Sequence, residues 1–90
     1  MPEAVVNEDA HVLALNALVW TLGDEDRAGR LLAVTGIDPA DLRARAGESA
    51  VLAAALQFLT AHEADLVACA DALGVAPQAL ADAADKLEAA

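Results

Sequence analysis

Gly36-Ile37-Asp38-Pro39-Ala40-Asp41-Leu42 returns 38 positions later as Gly74-Val75-Ala76-Pro77-Gln78-Ala79-Leu80. In each copy a glycine that can adopt the left-handed conformation closes one helix. A proline then opens the next at a first helical position, where its missing N–H is no loss. Each copy is therefore a boundary between two helices, and the chain between the copies is helical grammar as well. Ala and Leu supply 39 of the 90 residues, while β-branched and aromatic strand formers are scarce and no alternating run argues for a strand. Gly23 and Gly47 offer two further stops. Thr60-Ala61-His62-Glu63 has capping-box spacing, which predicts a break in the apolar stretch that begins at Ala50. Six helices are expected, near 8–22, 25–35, 39–46, 50–59, 61–73 and 77–88.

The same offset reaches beyond the two boundaries. It aligns Ala17-Leu18 with Ala55-Leu56, Trp20 with Phe58, Glu25 with Glu63, Leu42 with Leu80 and Ala46 with Ala84. Generic helix punctuation accounts for the glycine and proline matches but not for the paired aromatics. A duplicated three-helix unit accounts for both and predicts that Trp20 and Phe58 are equivalent core residues. Under either reading the fold class is all-α, a compact bundle of about six short helices. Residues 1–90 form a single helical domain, with 1–7 expected as a flexible N-terminal tail.

Fifteen acidic and five basic side chains give a formal charge of −10. Apolar residues make up 58%, but 25 of them are alanine, so the large apolar content is that of one small core. Even so, it excludes a disordered acidic tail. The longest uninterrupted apolar run is Ala50 to Leu56, far short of the ~20 residues a membrane span needs. The first residues, Met1-Pro2-Glu3-Ala4-Val5-Val6-Asn7-Glu8-Asp9, carry neither a basic region nor an apolar segment, so no secretory signal is expected. Cys69 has no partner for an internal disulfide. The expectation is a cytoplasmic protein, without membrane contact.

Three segments together resemble a known family: Leu31-Leu32-Ala33-Val34-Thr35-Gly36-Ile37-Asp38-Pro39-Ala40-Asp41-Leu42-Arg43-Ala44-Arg45-Ala46, with Ala17-Leu18-Val19-Trp20 upstream and Leu73-Gly74-Val75-Ala76-Pro77 downstream. They resemble the small, acidic, all-helical bacterial proteins of domain-of-unknown-function family 3572. The likeness spans nearly the whole chain. It implies a helical fold and a bacterial cytoplasmic setting, and it brings no catalytic or binding residues.

Residues with chemical potential are few. His62 and Cys69 lie seven apart, ~10 Å along a helix axis, beyond the reach of a nucleophile and its base. Cys69 aligns with Leu31 and is expected to fill the core. His62 reads as a solvated surface histidine, and His11 as half-buried and structural. His62 with Asp65 offers two metal ligands where three or four are needed, so no metal or other cofactor is expected. Asp24, Glu25 and Asp26 complement a helix N-terminus. Neither a phosphate loop nor a serine elbow is present, and no catalytic residue is assigned. The expectation is a protein that is not an enzyme.

The segment around Gly74 superficially resembles a helix-turn-helix. Its second helix, however, sets Asp82, Asp85 and Glu88 against Lys86, which opposes the phosphate term that dominates nucleic-acid binding. Arg27, Arg30, Arg43 and Arg45 cluster between 27 and 45, but six acids share residues 24–48, and ion pairing is the expected role.

In the first helix Val12, Leu15, Leu18, Val19 and Leu22 form the expected core stripe, with Leu13 and Trp20 off it. In the fourth, Val51, Leu52, Ala55, Leu56, Phe58 and Leu59 form the core face, leaving Ala50, Ala53, Ala54 and Gln57 on the other. Small side chains allow close helix approach, so Ala50, Ala53, Ala54 and Gln57, with Leu13 and Trp20, form the candidate partner surface. The leading functional expectation is a protein–protein interaction module, as a homodimer or accessory subunit. The alternatives are a small-molecule-binding bundle without catalysis and an acidic regulator of a basic partner.

Overall fold

The computed structural model describes residues 2–89, with side chains from Asp9 onward. Among these residues there are six helices and no strand: α1 (Pro2–Leu22), α2 (Glu25–Thr35), α3 (Pro39–Ala44), α4 (Ser49–Ala61), α5 (Glu63–Leu73) and α6 (Pro77–Ala89). The α1 backbone begins at Pro2, ahead of the expected start near residue 8. Residues 2–7, expected as a flexible tail, are thus the first turns of α1, while Met1 and the side chains before Asp9 lie outside the described residues.

Helix ends follow the predicted chemistry at the two repeated boundaries. Gly36 and Gly74 both have φ 71°, and their N–H groups bond back to Leu32 and to Ala70 and Asp71. Asp38 and Asp24 cap α3 and α2, accepting from the N–H groups of Ala40 and Arg27 at 3.0 Å. Gly23 and Gly47 do not adopt a positive φ. An alanine Cβ at Gly36 would meet nothing within 4 Å, so the penalty of Gly36→Ala is purely that of the left-handed backbone. It should lower stability by about 1–2 kcal/mol. Gly47→Ala, also in open space, should raise stability by about 0.4–1 kcal/mol through the unfolded chain. Urea midpoints of the two variants, moving in opposite directions, check the pair.

The capping box at Thr60 does not form. The Thr60 hydroxyl donates to the Gln57 carbonyl at 3.0 Å instead of capping Glu63, and α4 continues to Ala61. The break falls at His62, where α4 and α5 meet at 115°. His62 is half-buried rather than solvated. Its Nδ1–H donates to the Phe58 carbonyl at 2.7 Å, satisfying an end carbonyl of α4, and its ring lies 4.6 Å from the Phe58 ring.

The core sits where α1, α4 and α6 pack on one another, with α2 and α5 closing the sides. Its large members are Leu18, Leu31, Leu42, Leu52, Leu56, Phe58, Leu59, Leu80 and Leu87. The radius of gyration, 12.1 Å, matches the ~12 Å of a compact chain this long. Aligned positions Leu18 and Leu56, Leu31 and Cys69, and Leu42 and Leu80 are buried in pairs. The aromatic pair departs from that equivalence. Phe58 is 2% exposed, whereas Trp20 is half-buried at the surface with the Arg27 guanidinium 3.6 Å above its ring. The alignment also fails in length at α3, 6 residues against 13 in α6.

Candidate functional site

The face that α1 turns inward is rotated from the expected one toward its alanines, sharing only Leu18 with it. Ala10, Ala14, Ala17, Leu18 and Thr21 are buried, while Val12 is 57%, Val19 66% and Leu22 38% exposed. Of the expected stripe only Leu18 is fully buried, and Leu15 is half-buried. Leu13 and Trp20, expected off the core side, pack against it. The reason is volume. Three alanines on one face let α1 approach α4 and α6 closely, and the buried Thr21 hydroxyl donates to the Ala17 carbonyl at 2.8 Å, so it leaves no unmet polar group.

The outer face of α1 is therefore mostly apolar, with the exposed Asn16 between Val12 and Val19. From Val12 to Leu22 there is no charged residue, although the chain carries 20. Sequence reasoning assigned these valines to the core because they have the larger side chains. The signal for the outward side was Asn16, a polar residue that shares a helix side with Val12 and Val19 and is exposed with them.

The candidate surface on α4 divides. Ala53 is 5% exposed, so it is interior to the protein and is removed from that surface. Ala50 and Gln57 are exposed and Ala54 is half-buried. Ala50, Ala54 and Gln57 border a shallow groove toward Leu87 and Glu88, and Ala54 and Gln57 border another toward Val34, Ile37 and Phe58. Ala53 is drawn in because α6 packs along that side of α4, with Ala83, Ala84 and Leu87 buried there.

The arginines take separate roles. Arg30 reaches from α2 to Asp65 on α5 at 2.7 Å, and that hydrogen bond raises its already high pKa. Arg45 pairs with Glu48 at 3.0 Å. Arg27 forms no ion pair among the described residues. It lies on the Trp20 ring, with Nη2 donating to the Trp20 carbonyl at 2.8 Å. Arg43 has no ion-pair partner among the described residues, and it borders a groove with Leu22, Ala28, Leu32, Pro39 and Leu42.

Cys69 is wholly buried. Desolvation pushes its thiol pKa up, partly opposed by the Arg27 charge. Thiolate is the reactive form, so native Cys69 should resist an aromatic disulfide reagent at pH 8 and react at the rate the protein opens. Rapid stoichiometric labelling of the native protein would contradict this burial. Among the described residues no group of three or more His, Cys, Asp or Glu is placed to hold a metal, and no single helix is long and apolar enough to cross a membrane.

Residues 7–90 match the model of a family described as protein of unknown function (DUF3572). No curated protein and no solved structure matches the chain.

Proposed function

The chain belongs to the DUF3572 family, and we propose that it works as a non-catalytic protein-docking module whose contact surface is the outer face of α1. One observation carries this reading: Val12 and Val19 are more than half exposed on a stretch of α1, residues 12–22, that holds no charged side chain. Large apolar side chains exposed together along one side of a helix mark interaction sites in proteins that are otherwise well covered. The Ala50, Ala54 and Gln57 surface is secondary, because its grooves are shallow and the exposed amide of Gln57 borders both. The free Cys69 thiol supports residence in a reducing compartment such as the cytoplasm.

A photo-crosslinking amino acid at Val19, compared with one at the exposed Asp71 of α5, tests the proposal in cells that make the protein. A discrete adduct of one mass from position 19, absent from position 71, is the expected result. No adduct, or the same diffuse set from both, would remove α1 as a docking face.

A further inference from the structure

Three exposed residues of α1, Val12, Val19 and Leu22, together with the half-buried Leu15, are spaced for another helix, with exposed Asn16 at the edge of the seam. Val12, Leu15, Val19 and Leu22 follow steps of 3, 4 and 3, with valine at one seam position and leucine at the other. That is the register in which one helix lays its side chains between those of a second, along ~15 Å of axis. What remains is which helix.

Charge decides between the candidates. Asp9 is exposed at the head of the stripe, and Asp82 lines the adjoining α1–α6 groove with Lys86. At its foot stand the α2 cap Asp24 and the exposed Glu25 and Asp26, against Arg43 across the Leu22 groove and Arg27 on the Trp20 ring. Acids outnumber bases at both ends. A second copy of the chain would fit the apolar seam but not these ends. Antiparallel pairing about the middle of the stripe sets Asp9 opposite Glu25, and parallel pairing sets each acidic end against itself. Both arrangements bring like charges together on a protein already at −10.

Resting on the docking reading above, we infer that the outer face of α1 takes an amphipathic helix of a different protein, apolar at its seam and basic along its flanks. The seam supplies the burial, and the acidic ends set partner choice and speed of encounter.

Two fluorescent 21-residue helical peptides test this at physiological ionic strength. Both carry an Ile/Leu seam; one has lysine and the other glutamate at the flanking positions. A third keeps the lysines but has serine in the seam. The full chain should bind the first peptide at least about tenfold more tightly than either of the others. Replacing both Val12→Ser and Val19→Ser, which leaves the charge unchanged, should weaken that binding about tenfold or more. Asp9→Asn with Glu25→Gln and Asp26→Asn should slow association and flatten its salt dependence. Circular dichroism establishes that each variant remains folded.

Binding of the lysine peptide that ignores the serine variant would reduce the effect to bulk charge and overturn the inference. Equal binding of lysine and glutamate peptides would overturn it while leaving the docking reading intact. So would a wild-type dimer by light scattering that the serine variant converts to monomer. If neither apolar-seam peptide binds, the inference fails; if position 19 also gives no crosslinked adduct, the docking reading falls with it.

Discussion

Phe58→Ala should lower the free energy of unfolding by about 3–5 kcal/mol, and Trp20→Ala by at least about 1 kcal/mol less. The two aromatics stand at aligned positions, yet their surroundings differ. Phe58 is 2% exposed, on the side of α4 toward Val34 and Ile37 with the Arg30 guanidinium 5.9 Å from its ring, and that ring packs on His62 at 4.6 Å. Truncation of a side chain this fully buried leaves a cavity, and it removes the surface on which His62 closes α4. Trp20 is half-buried and already faces solvent through the Arg27 guanidinium, so its loss opens a surface notch rather than a cavity. Domains of this size hold only about 5–15 kcal/mol of net stability. Phe58→Ala should therefore shift the urea midpoint far to the left with the slope preserved, and the Trp20 variant should shift it modestly. Equal shifts would mean that Trp20 is as interior as Phe58, as the 38-residue alignment alone predicts.

That comparison shows which features the sequence could carry. Backbone punctuation is local, so Gly36, Gly74, Asp38 and the prolines marked their boundaries correctly; α2 at Glu25–Thr35 begins and ends where expected. The α4 core face was legible for the same reason. Val51, Leu52, Ala55, Leu56, Phe58 and Leu59 are large or strictly periodic, and every one is buried. The Thr60 break was misplaced because a threonine hydroxyl can bond backward to its own helix as well as forward to the next. Here it bonds to Gln57, and the imidazole of His62 takes over the end of α4. Of the candidate surface, Ala53 was lost because whether an alanine faces solvent or a neighbouring helix depends on α6, which no pattern within α4 reveals.

The face of α1 is the deepest disagreement, and it leads to the second large expected effect. Ala14→Leu and Ala17→Leu should each destabilise the protein by about 1–3 kcal/mol, and more together, because each adds volume to a contact with no exposure at all. A hydrophobicity scale rates both changes as improvements to a core face. The structure rates them as obstructions, since Ala10, Ala14 and Ala17 set how closely α1 lies on α4 and α6. On the opposite side, Val19→Ser should change stability by less than about 0.5 kcal/mol, as for other exposed positions. Urea denaturation of the four proteins, wild type included, discriminates sharply between the two orientations of the helix. Were the leucine variants neutral and the Val19 variant costly, α1 would have its valines inward, and the apolar outer face on which docking depends would not exist. With the opposite result, the alanines hold α1 in the bundle, and its larger side chains, which the bundle leaves uncovered, are free to meet another helix.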